Sequence, residues 1–172
     1  MKKITLLAIL AIAAFSNKVN AQATATATAT AIIVTPIGIT KTSGVDMSFG
    51  NVAVTGTAGT VVLSTAGART AIDGVTLPST TGTVSAASFD VSGTAGYTYT
   101  ITIPETITLT RDSGSETMTV TAINNSVGST GKLDVSSAKQ NIKVGGTLNV
   151  GVNQVAGVYK NDTALTVTVN YN

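Results

Sequence analysis

Three observations predict an all-β fold for this 172-residue chain. From residue 22 onward apolar and polar residues alternate with period two, as in strands with one face inward. Threonine and valine, whose branched Cβ suits a pleated surface, number 32 and 20. Outside an N-terminal apolar run, no segment of ten or more residues carries a 3.6-residue apolar period, and turn signals recur about every ten residues. Short strands spaced in this way predict an immunoglobulin-like antiparallel β-sandwich over residues 34–172.

The chain opens with Met1-Lys2-Lys3, a positive segment, followed by an apolar run from Ile4 to Phe15. Val19-Asn20-Ala21 then has the small or modest residues of a signal-peptidase site, so residues 1–21 are predicted to be a signal peptide. The run is short of the roughly 20 residues a membrane-spanning helix needs. No second apolar run follows, so no transmembrane segment is expected after cleavage.

Residues 22–33 come next, as Gln22 followed by an Ala-Thr repeat that ends at Ile32-Ile33. Ala25, Ala27, Ala29, Ala31 and Ile33 share one face, and Thr24, Thr26, Thr28 and Thr30 the other. Ten such residues, fully extended, span about 33 Å. The stretch lacks the Gly and Pro of a linker, and one face is too apolar for ordinary disorder. A strand of this kind can pair in cis with its own domain or in trans with a neighbour's sheet.

Within the domain, strands are expected around Tyr97–Ile103, Ile107–Leu109, Met118–Ala122, Leu148–Val152 and Leu165–Tyr171. Predicted turns include Gly56–Gly59, Ala66-Gly67, Asp73-Gly74, Asp112–Gly114, Asn124-Asn125, Gly145-Gly146 and Asn161-Asp162. Gly157-Val158-Tyr159 leads into the last strand. With Leu165, Val167, Val169 and Tyr171 inward, that strand would border the groove left by a missing final strand, which makes the predicted sandwich incomplete.

Composition excludes most chemistry. The chain has no His, Cys or Trp, so there is no Ser-His-Asp triad, no Cys nucleophile and no His- or Cys-ligated metal. No enzyme activity and no cofactor are predicted. Removing Lys2, Lys3 and Lys18 leaves seven scattered basic residues against eight acidic ones, which is no footprint for nucleic acid. Gly128-Ser-Thr-Gly131-Lys132-Leu133 lacks the spacing and the hydroxyl of a P-loop and reads as a turn. Glu105, Asp112 and Glu116 flank Arg111 as solvated turn charges. Tyr97 and Tyr99 fit core packing better than a sugar-stacking platform.

Asp46–Val52, Gly96–Ile103 and Ala156–Tyr171 resemble an uncharacterised family of secreted bacterial β-proteins, a domain of unknown function. The leader, Phe49-Gly50 and the C-terminal strand also resemble archaic chaperone–usher pilins related to the spore-coat protein U domain. That resemblance implies a subunit of a pilus-like surface fibre, exported through the periplasm and assembled by donor-strand exchange. Copies of the chain, a periplasmic chaperone and an outer-membrane usher are its implied partners. Ala25, Ala27, Ala29, Ala31 and Ile33 would be donor residues in a neighbour's core. Gly157, Leu165, Val167, Val169, Tyr171 and the C-terminal Asn172 would line the acceptor groove or the chaperone edge. The alternative is a secreted monomeric module that binds glycan or matrix, with its first strand paired in cis.

Overall fold

A computed structural model describes residues 22–172. The signal segment predicted over residues 1–21 lies outside the described residues. The chain divides after Ile33 into residues 1–33 and residues 34–172. Residues 22–33 form no strand and are exposed along their whole length.

Residues 34–172 are all-β and sandwich-like, with every strand pairing antiparallel. In chain order the strands are β1 (Gly38–Lys41), β2 (Ser48–Phe49), β3 (Ala53–Leu63), β4 (Arg69–Thr76), β5 (Val84–Ser85), β6 (Ala87–Ser92) and β7 (Thr98–Thr102). Then follow β8 (Ile107–Arg111), β9 (Thr117–Asn125), β10 (Thr130–Lys132), β11 (Lys139–Val150), β12 (Tyr159–Lys160) and β13 (Thr168–Tyr171).

The organising strand is β11. Its first half, Lys139–Val144, pairs with β6, and on the same edge Gly146–Val150 pairs with β3. β9 runs along the opposite edge, with a register break between Gly145 and Thr147. One strand thus serves two cores. At its first end, β1-β6-β11 faces the small sheet β10-β7-β13, and Phe89, Val91, Tyr99, Ile101, Ile142 and Val144 fill the space between them. At its second end, the ladder β4-β3-β11-β9-β8-β12 curls into a half-barrel. Its inward residues, among them Val75, Val61, Leu148, Val120 and Ile107, all join one further cluster around Phe49. Ile123 and Leu165 touch both clusters.

Three predicted turns are strand interior instead, and a fourth, Asn124-Asn125, is the paired end of β9. Gly56–Gly59 lies within β3, Asp73-Gly74 within β4, and Gly145-Gly146 within β11. The glycines mark irregular pairing and close backbone approach, a second use of glycine in strands. β3 and β4 lose register between Val54 and Gly59, where Gly59 comes opposite Asp73. A Cβ on Gly59 would stand 2.7 Å from the Gly74 nitrogen. The expected alternation also breaks in β9. Ala122 has φ 48° and is exposed, and Ile123 turns inward in its place. Val152 lies past the end of β11 and is 56% exposed.

The P-loop-like segment forms β10, with Leu133 fully buried beside it. The following turn is built on Asp134, whose Oδ1 accepts bonds from the backbone N–H groups of Ser136 (2.9 Å) and Ser137 (2.8 Å) and from both hydroxyls. These donors favour the ionised carboxylate and hold its pKa at about 2. A depressed folded pKa adds stability that is present above the unfolded value of about 3.9 and is lost as pH falls through the folded value. An NMR titration of Asp134 is expected to show its midpoint near 2. A midpoint at the ordinary carboxylate value would refute the turn.

Candidate interaction cleft

The concave face of the half-barrel is not filled. It holds a cleft of about 690 Å³ whose floor is Ile107, Leu109, Met118, Val120, Leu148 and Val150. One rim is the continuous segment Met47–Val54, and the other is Gln154–Asn161. Among the described residues it is an apolar trough between two runs of backbone.

Each rim is pinned by a half-buried arginine. On the first, Phe49 enters the core and the chain reverses at Gly50, which has φ 64°. A side chain there would be strained by that φ and would also meet the Thr81 carbonyl and, at 2.7 Å, a methyl of Val84. The half-buried Arg69, reaching across from β4, donates from Nη1 to the carbonyls of Phe49 and Asn51 (2.7 Å to Asn51). The Asn51 N–H in turn donates to the Thr81 carbonyl at 2.7 Å.

On the second rim, Gly157 stacks on the aliphatic stem of Arg111, where a Cβ would lie 2.8 Å from Cδ. The Arg111 guanidinium donates to both carboxylate oxygens of Glu116, at 2.7 and 3.2 Å. That pairing holds the Glu116 carboxyl below the usual carboxylate range and raises the Arg111 pKa. The Tyr159 hydroxyl donates to the Val155 carbonyl at 2.7 Å and accepts from Gln154 Nε2 at 2.8 Å, which ties the loop shut. Lys160 lies 3.5 Å from Asp112.

The residues predicted for the acceptor edge fall in two places. Gly157 lines the cleft. Val167 and Val169 are buried in the other core, 8% exposed each, and Leu165 packs against both. Tyr171 sets its ring edge-on to Tyr97, with centroids 5.6 Å apart, and its hydroxyl donates to the Thr35 carbonyl and accepts from Thr94 N–H. Asn172 is exposed, and its N–H donates to the Thr98 carbonyl at 3.3 Å. β13 ends its sheet, with a partner strand on one edge only. Ala25, Ala27, Ala29, Ala31 and Ile33 are all exposed, and Ile33 is 98% exposed.

Sequence reasoning singles out Asp46–Val52 without placing it at a cleft, and it misses Arg69 and Arg111 as the residues that shape the rims. A lone Arg at a strand start is the sole signal for Arg69, and it names no partner. Of the carboxylates near Arg111, only Glu116 makes a close ion pair with it. Among the described residues no group of three or more acidic residues could hold a metal, and no helix is long and apolar enough to cross a membrane.

The fold and cleft define an all-β, sandwich-like domain with an open cleft whose floor is apolar. The chain belongs to the family described as a domain of unknown function, DUF4402, whose family model matches residues 37–171. No curated protein and no solved structure matches the chain.

Proposed function

We propose that the protein is the structural subunit of a cell-surface fibre, exported through the periplasm and assembled by strand donation between copies. The observation that carries this reading is the state of residues 22–33. They present a period-two strand sequence with one apolar face, yet they are unpaired and exposed, with Ile32 and Ile33 87% and 98% exposed. A strand-forming sequence with one apolar face, left without a sheet, is a hazard unless a partner covers it. On this reading residues 34–172 form an incomplete immunoglobulin-like sandwich. Ala25, Ala27, Ala29, Ala31 and Ile33 of one copy enter the next.

Sheet edges are available to receive it. β13 and β12 each end a sheet with one edge unpaired. Ladder hydrogen bonds contribute about 0.5–1.5 kcal/mol each, and ordering the extension costs about 1–2 kcal/mol per residue. The assembly is therefore held by slow strand release more than by a deep equilibrium. Head-to-tail donation is heterologous and does not close, so it grows a filament. The resemblance to chaperone–usher pilins supports the same reading and supplies its partners, a capping chaperone and an outer-membrane usher.

Boiled and unboiled SDS gels of a sheared surface fraction test this. The intact chain is expected to give a ladder that collapses on boiling, and a variant lacking residues 22–33 is expected to give none. A single monomer band from the intact chain would refute the fibre and favour a monomeric glycan- or matrix-binding module.

A further inference from the structure

We infer that the strand acceptor is the cleft of the half-barrel, and that its occupant is the 22–33 segment of a second copy. This rests on the strand-donation reading and names where the donated strand seats. The β13 edge offers backbone but little space. Val167 and Val169 already face a core in which Val91, Tyr99, Leu133, Ile142 and Val144 are fully enclosed. A strand laid there gains ladder bonds and finds no pocket for its side chains.

The cleft offers both. Its volume of about 690 Å³ is unfilled, its floor is aliphatic, and β12 on its rim ends the curled sheet. The rims are eight residues long each, 47–54 and 154–161. Fully extended, the segment from Ala25 to Ile33 covers about 27 Å. Exposed apolar side chains also collect on the two partners. Val54, Val155 and Val158 are 39%, 45% and 66% exposed on the rims, and Ile32 and Ile33 are exposed on the extension. A small-molecule site would bring a few convergent polar groups into an apolar pocket. Here the rim lysine is already beside Asp112, and Gln154 and Tyr159 satisfy each other. A strand of alternating small side chains needs only the rim backbone and the apolar floor.

The natural chain has no cysteine, so disulfide trapping has no background. Full-length single-cysteine chains of two sizes are mixed under mild oxidation, so that a heterodimer reports contact between copies. One partner carries Ala27→Cys, Thr28→Cys, Ala29→Cys or Thr30→Cys. The other carries Val158→Cys or Val155→Cys in the cleft, or Thr168→Cys or Asn170→Cys on β13. At μM protein, the best extension–cleft pair is expected to link on the order of a hundredfold faster than any extension–β13 pair, because seating raises the effective concentration to mM. Heterodimers confined to the β13 positions would overturn this assignment and leave strand donation standing. A control chain carries both Ala29→Cys and Val158→Cys; a link formed only within that monomer, with no heterodimer, would place the cleft's occupant in cis and overturn the trans assignment. No link at any position, together with loss of the SDS-resistant ladder, would overturn the strand-donation reading as well.

Discussion

Replacing Tyr99 with alanine is expected to destabilise residues 34–172 by about 3–5 kcal/mol, the cost of removing a large enclosed aromatic. Tyr99 is fully buried in β7, between Gly131 of β10 and Tyr171 of β13, so its ring supports all three strands of the small sheet. Its hydroxyl donates to Gln140 Oε1 at 2.7 Å, and the same oxygen accepts the Lys132 N–H at 3.0 Å. Tyr99→Phe isolates that bond and is expected to cost about 0.5–1.5 kcal/mol, because Gln140 keeps its second donor. Burial raises the Tyr99 pKa. The folded chain then keeps the phenolic proton where the unfolded chain releases it. The stability is complete below the unfolded value of about 10 and is lost as pH rises through the folded one. Chemical denaturation at neutral pH and above pH 10 checks both parts. If Tyr99→Phe shows the same alkaline loss as the natural chain, the pH argument fails.

The second large effect is expected at Gly145. There β11 passes from β6 to β3, and β9 breaks register beside it. A Cβ would meet the Leu63 carbonyl oxygen and lie 3.0 Å from the Ser64 carbonyl carbon, both of them backbone atoms that no rotamer change can move. Gly145→Val is therefore expected at the upper end of overpacking costs, about 3 kcal/mol. For a domain of this size that lowers the Tm by roughly 10 °C. Gly56 is the control, since a Cβ at that position would have no heavy atom within 4 Å. Gly56→Ala is expected to be neutral or to stabilise by about 0.4–1 kcal/mol through the unfolded chain. Equal Tm values for the two variants would refute the close approach at β11.

The two glycine positions also show how much is legible in the sequence. Alternation at Tyr99, Ile101, Leu148, Val150, Val167 and Val169 tells inward from outward, and each of these residues is buried. Period two follows from strand geometry alone, so it survives without knowledge of the partners. A glycine pair gives the same local signal for a tight turn and for a strand pressed against another backbone. Gly145-Gly146, Gly56–Gly59 and Asp73-Gly74 therefore look like turns in the sequence and prove to be strand interior. In β9 the φ of Ala122 shifts the inward phase to Ile123, a change that composition does not announce.

By itself the sequence determined the all-β class, the inward faces of β13 and of the centres of β7 and β11, the lack of triad and thiol chemistry, and an N-terminal segment with strand pattern. All of these depend on residue type and nearest-neighbour spacing. Only the tertiary structure decided that β11 would divide its length between two cores. It also decided that one core would close against a second sheet while the other stayed open, with Arg69 and Arg111 holding the rims. Those outcomes depend on which strands meet across long stretches of chain, and many pairings share the same alternation. Gly157 and Tyr171 lie fourteen positions apart, and their local pattern suggests a single edge. Folding sends the first to the open cleft, in the loop before β12 and against the Arg111 stem, and the second to the closed core, at the end of β13.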